Sequence, residues 1–155
     1  MLTVRRAART DVERLRQIAR AAFSPYVPRI GRPPAPVTAD YAGAVQRGEA
    51  WVAEQDGDVI GLLVLVRQPD HLLLDIIAVD PAGQASGVGA RLLALAEEQA
   101  TLLGLPEVRL CTNVAMTENL RYYPRHGYVE THRGQQDGYD RVFFRKPVVP
   151  EPPGT

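Results

Sequence analysis

A single cysteine, Cys111, excludes an internal disulfide, which fits a reducing compartment. Net charge is also missing. The 18 basic and 18 acidic side chains cancel, so no overall field recruits nucleic acid or an acidic membrane. No apolar run approaches membrane-spanning length, and the opening MLTVRRAARTDVERL has no signal-peptide apolar segment. The histidines are His71, His126 and His132, and their spacing suits no zinc site, so no metal is expected. These absences imply a cytoplasmic protein with neither nucleic acid nor membrane as partner.

What is present is one domain of ordinary size, residues 1–146, with a proline-rich tail at 147–155 expected to be disordered. LTVRRA alternates as a first strand. Thr10 and Glu13 stand at capping-box spacing, and Val12, Leu15, Ile18, Ala19 and Ala22 follow at helical period, predicting a helix over 11–23. Arg5, Arg6, Arg9, Arg14, Arg16 and Arg20 read as a solvated face around it. SPYVPRIGRPPAP cannot continue a helix and forms either a stiff connector or a binding wall. Thr38 is placed to cap a short second helix through Arg47.

AWVAEQDGDVIGLLVLVRQ has the form of a hairpin closed by Asp56-Gly57. HLLLDIIAV reads as a central strand too apolar to have a wet face. A helix over 87–103 should bury Val88, Leu92, Leu95, Ala96 and Leu102 or Leu103 along one side, with Gln99 as the one polar interruption. EVRLCTN, TENLRYYPRHG, YVETH and DRVFFRK then read as strand, short helix, strand and strand. The order predicts an α/β (α+β) fold: a mixed, mostly antiparallel sheet of six to seven strands, about four helices and one parallel strand–helix–strand crossover over 72–113.

Three glycines, Gly83, Gly87 and Gly89, stand where the strand hands over to the helix. Glycine clusters where backbone must approach something closely. A glycine turn before a helix lets phosphate oxygens reach unpaired amides at the positive end of the helix dipole. A mononucleotide phosphate loop would need Gly-x-x-x-x-Gly-Lys-Ser/Thr, which is not here. A dinucleotide turn would need a third glycine at Leu92. A turn with no ligand is the remaining plain reading.

Gln84-x-x-Gly87-x-Gly89, after IAVDP and before an amphipathic helix, resembles the acyl-CoA pyrophosphate loop of the GNAT acetyltransferase superfamily. NLRYYPRHGYVET is similar to that family's C-terminal motif, with Tyr122-Tyr123 and Gly127-Tyr128 in the aromatic places. Both motifs stand in the family's element order, so the resemblance covers about residues 2–146. It implies transfer of an acetyl group from acetyl-CoA to a primary amine of a small molecule or peptide. A CoA-binding sensor or scaffold of the same fold, without transfer activity, is the alternative.

The resemblance also implies roles. The backbone at Ile77, Ala78 and Val79 would hold the pantetheine arm. Gln84, Ala85, Ser86, Gly87, Val88, Gly89 and Ala90 would wrap the pyrophosphate. Tyr123 would be the acid that protonates the departing thiolate, although Pro124 disfavours helical geometry at the residue before it. Asn119, one turn earlier, is a candidate cofactor contact; Met116 stands where the family more often has asparagine. Asn113 is a cap or a contact.

Asp75 interrupts an apolar run. There it is a ligand for substrate ammonium, a proton acceptor through water, or a structural acceptor, since a buried carboxylate is costly without a partner. Glu49 is a second candidate base and Asp70 a further acidic lining group. Cys111 reads as a small hydrophobe, and Trp51 as core or substrate wall. The acceptor pocket is expected among the 25–36 loop, the Asp75 strand and the hairpin THRGQQDGYDRVF. Edge strands within 128–145 offer a surface for homodimer pairing.

Overall fold

Two Asp-Gly pairs set the local pattern. Asp56 and Asp137 take positive φ (54° each), as do Gly57 and Gly138 (86° and 78°). Two successive residues in this region suit the tight hairpin turn whose twist matches paired strands. A computed structural model describes residues 1–148, with side chains omitted for 84–86. Most of the expected tail, from residue 149 on, lies outside the described residues.

The elements are β1 (Leu2–Arg6), α1 (Val12–Phe23), α2 (Val27–Ile30), α3 (Tyr41–Gln46), β2 (Ala50–Gln55), β3 (Asp58–Arg67), β4 (Leu72–Val79), α4 (Val88–Leu102), β5 (Glu107–Asn113), α5 (Thr117–Arg125), β6 (Val129–Gln136) and β7 (Tyr139–Pro147). Seven strands form one sheet in the order β1-β2-β3-β4-β5-β7-β6. β1 with β2, β2 with β3, β5 with β7 and β6 with β7 pair antiparallel, whereas β4 and β5 run parallel with Leu72 beside Val108 and Leu73 beside Arg109. This is the expected mixed fold.

By internal contacts the chain divides into two units, Met1–Leu65 with Asp75–Leu93, and Val66–Leu74 with the segment from Ala94 onward. In the first, Val52, Ala53, Leu62, Leu63, Leu15, Ile18, Tyr41, Val88 and Leu92 are buried. Gly61 lets α4 approach β3: a Cβ there would lie 2.9 Å from Val88 Cγ1 and 3.1 Å from Leu92 Cδ1. In the second, Val108, Leu110, Val142, Phe144, Tyr123 and Tyr128 form the core with Leu95, Ala96 and Ala100.

Several local details differ from expectation. Asp11, rather than Thr10 with Glu13, organises the start of α1. Its Oδ2 accepts from Ala8 N at 2.7 Å after a 3-10 turn over Arg9–Asp11. Asp40, not Thr38, caps α3, accepting from Gly43 N at 3.0 Å. The buried stripe of α4 ends at Ala100, and Leu102 is exposed. Leu102 stands roughly half a turn round the helix from Ala100 and so faces away from the stripe; beyond it Gly104 takes a φ of 70° and Leu105 N bonds Ala100 O at 2.9 Å. The proline-rich segment folds into short turns, Ser24–Tyr26, α2 and Ala35–Val37.

Candidate functional site

In the first unit the glycine turn begins at Asp80. Asp80 N donates to Ile60 O at 2.8 Å, its Oδ1 accepts from Ala82 N at 2.9 Å, and its carbonyl accepts from Gly83 N at 2.8 Å. These bonds wind Pro81–Ser86 into a 3-10 turn. Gly83 lies against Ile60, where a Cβ would come within 3.3 Å of Cδ1. Gly87 has a φ of 78° and then α4 starts at Val88. Among the described residues no atom lies within 4 Å of the Cβ that Gly87 lacks. Packing therefore does not demand a glycine here; the left-handed backbone does. The side chains of Gln84, Ala85 and Ser86 lie outside the described ones, and those expectations rest on backbone alone.

Arg14 was expected on a solvated face. Instead, its Nε donates to Val59 O at 2.9 Å and its Nη2 pairs with Asp80 Oδ2 at 2.8 Å. Asp80 is held below the ordinary carboxylate range by the Ala82 amide first and by Arg14 next. No periodicity in the sequence could have shown this pair, which joins α1 to the root of the turn.

β4 leads into that turn, and its residues alternate in burial. Leu72, Leu74, Ile76 and Ala78 are buried, Leu73, Ile77 and Val79 are half-buried, and Asp75 is exposed. The expectation of a strand with no wet face is corrected by this alternation, and so is the cost assigned to a buried Asp75. Tyr41 is 1% exposed and donates its phenolic proton to Pro36 O at 2.6 Å. Burial first, and the negative charge of Asp75 next, push the Tyr41 phenol well above its ordinary value.

The C-terminal motif lies in the second unit. Pro124 does not stop α5 at Tyr123; the helix runs through Arg125, and His126 N and Tyr128 N both donate to Tyr123 O, at 3.0 and 3.1 Å. Pro124 has no N–H to give the carbonyl four residues back, so α5 carries that loss and ends one residue later, at Arg125. Tyr123 is 6% exposed, with ring centroids 5.6 Å from Tyr122 and 5.8 Å from Tyr128 and Phe144. Tyr128 is 2% exposed, and burial drives its phenol well upward. Asn119 Nδ2 donates to Thr112 Oγ1 at 3.0 Å and approaches Met116 Sδ at 3.6 Å, so what it does here is tie α5 to β5.

The remaining candidates make the following contacts. Asn113 Oδ1 accepts from Ala115 N at 2.9 Å, the capping alternative. Glu49 is paired with Arg47 at 2.8 Å. Asp70 bonds His71 Nδ1 at 2.7 Å. Cys111 is half-exposed, with Arg141 Nη1 3.9 Å from its sulfur, and Arg6 stacks 4.9 Å from the Trp51 ring. In the last hairpin a shallow groove is lined by Val114, Arg133, Gly134, Gln135, Asp140 and Arg141. Among the described residues there is no cluster of potential metal ligands and no helix long and apolar enough to cross a membrane.

Comparison with known proteins agrees with these features. The pattern of the acetyltransferase (GNAT) family matches residues 12–128. The aminoalkylphosphonate N-acetyltransferase of Salmonella typhimurium is 32% identical over 88 residues, covering 52% of this chain and 56% of that protein. The match thus spans just over half the length of that curated relative. Among solved structures, the ribosomal-protein-S18-alanine N-acetyltransferase of Escherichia coli superposes with a TM-score of 0.75 at 20% identity, covering 100% of this chain and 99% of that one. The PaiA N-acetyltransferase of Thermoplasma acidophilum, solved in complex with coenzyme A, gives 0.78 at 19% identity, covering 95% and 99%. At such identities the structural likeness speaks for the fold.

Proposed function

The chain belongs to the acetyltransferase (GNAT) family, and we propose that it moves an acetyl group from acetyl-CoA to the nitrogen of a primary amine on a small molecule or peptide. The observation that carries this reading is the turn between β4 and α4: its root is bonded in place, and Gly87 holds a left-handed backbone with open space beside it. Backbone amides at such a turn suit a diphosphate, because no Cβ stands in the way and the helix dipole adds partial positive charge. The relative named for aminoalkylphosphonates and the fold neighbour named for a ribosomal-protein alanine support an amine acceptor.

In this reading the residues divide the work as follows. The backbone of Ile77, Ala78 and Val79 takes the pantetheine arm as an added strand. One of its amides donates to the oxyanion that forms when nitrogen attacks the thioester carbonyl. An alkyl amine arrives protonated at neutral pH, since its pKa is about 10. Asp75, exposed on β4, attracts that ammonium, and water carries its proton away before attack. As the intermediate collapses, the carbon–sulfur bond breaks and the thiolate takes the phenolic proton of Tyr123. Thiol-like basicity, with a pKa of about 8.5, makes that transfer feasible from a phenol.

The first test is thermal stability with acetyl-CoA near saturation, with ATP and NADH as controls. Ligand at about a hundred times its dissociation constant adds roughly 2.7 kcal/mol. A rise with acetyl-CoA alone, followed by free-thiol release with an amine panel, is the expected result. A rise only with ATP or NADH, or none, refutes the assignment of the turn.

A further inference from the structure

A carboxylate beside an anion-binding turn repels the anion, yet Asp80 stands at the root of this one with Oδ1 on the amide of Ala82. The carboxylate has a local use, because it winds the first residues of the turn. Its charge, however, opposes any phosphate bound to the amides that follow. Arg14 answers that charge directly: Nη2 lies 2.8 Å from Asp80 Oδ2, while Nε is fixed on Val59 O at 2.9 Å. The guanidinium therefore bridges α1, the start of β3 and the root of the turn, and its two bonds leave it little freedom to swing away.

We propose that Arg14 is a positioning residue for CoA: it cancels the charge of Asp80 and fixes the turn, so that the amides after Asp80 meet a diphosphate already arranged and unopposed. The inference rests on the assignment of the turn to CoA. It gives a role to one arginine of α1 that its neighbours do not share. Among the described residues Arg16 and Arg20 pair with exposed Glu13 on their own helix, whereas Arg14 reaches 66 positions along the chain. Preorganisation of this kind improves binding by lowering the ordering cost rather than by adding a contact to the ligand.

The test measures dissociation constants of CoA and of pantetheine, which lacks the diphosphate, by titration calorimetry with the full chain. In Arg14→Gln, CoA affinity should fall about tenfold, the size of one charge-assisted hydrogen bond, with pantetheine unchanged. Adding Asp80→Asn to Arg14→Gln should recover most of the loss, because the opposing charge is gone. If Arg14→Gln does not fold, Arg14→Lys replaces it; keeping the charge without the forked geometry should weaken CoA about threefold and leave pantetheine unchanged. Unchanged CoA affinity in a folded Arg14→Gln, equal loss of CoA and pantetheine in either variant, or no recovery in the double variant overturns the proposal. A wild type that binds CoA no better than pantetheine overturns the assignment of the turn, and the role of Arg14 falls with it.

Discussion

The hydroxyl of Tyr41 on α3 donates to the carbonyl of Pro36, 2.6 Å away, and so latches the end of the proline-rich segment. Proline carbonyls in short turns have few backbone partners, and a buried acceptor left alone is costly. The latch holds the end of that segment against α3. Tyr41→Phe removes the donor and keeps the ring. The expected cost is about 1–2 kcal/mol in urea melts, and if the segment lines the amine site, the KM for amine should rise more than that for acetyl-CoA.

Tyr123→Phe separates chemistry from packing. The ring stays among Tyr122, Tyr128 and Phe144, so the variant removes the hydroxyl and keeps the packing. If the phenol is the acid, kcat falls at least about a hundredfold. Steady-state kinetics decide it: a kcat close to that of wild type assigns Tyr123 to the core alone.

Gly61→Ala tests the seating of α4. The new methyl would meet Val88 and Leu92 at 2.9 and 3.1 Å, so the helix must shift or the strand must bend. A loss of about 1–3 kcal/mol is expected from overpacking. Since Val88 opens α4, just after the glycine turn, the KM for acetyl-CoA should rise as well. Paired melts and initial-rate titrations check both effects.

Asp11 predicts an acid-dependent loss of stability. The hydrogen bonds of Arg5 first, and the Ala8 amide, hold its carboxyl below the usual range against a desolvation that raises it. Arg5 reaches it twice, at 2.8 and 3.1 Å. Because the folded value lies below the unfolded one, about 3.9, the contribution is complete above that value and is lost as pH falls through the folded value. Asp11→Asn should cost about 1–2 kcal/mol at pH 7. The gap from wild type should narrow as pH is lowered past the unfolded value, as urea melts at several pH values would show.

Much of this arrangement was legible in order and period. The Asp-Gly turns, the parallel crossover and the two family motifs are local strings, and local strings survive folding. What escaped depended on partners far along the chain. Thr10 looked like the cap because its spacing to Glu13 was right, but Arg5 and the Ala8 amide recruit Asp11 instead. Asp75 looked buried because its neighbours are apolar, yet the alternation of a strand puts it on the open face with Leu73 and Ile77. Arg14 has the same local setting as Arg16, and only the return of β4 to the start of α1 sets them apart.

The two Asp-Gly hairpins also bear on how the chain finds its fold. One joins β2 to β3 and the other joins β6 to β7, and each unit owns one of them. Hairpins closed by a tight turn form on a scale of about 1–10 μs, whereas strands brought together across a helix must first close a long loop. Both hairpins should therefore be protected from hydrogen exchange early in refolding, and the parallel seam where Leu72 meets Val108 should set the pace of the rest.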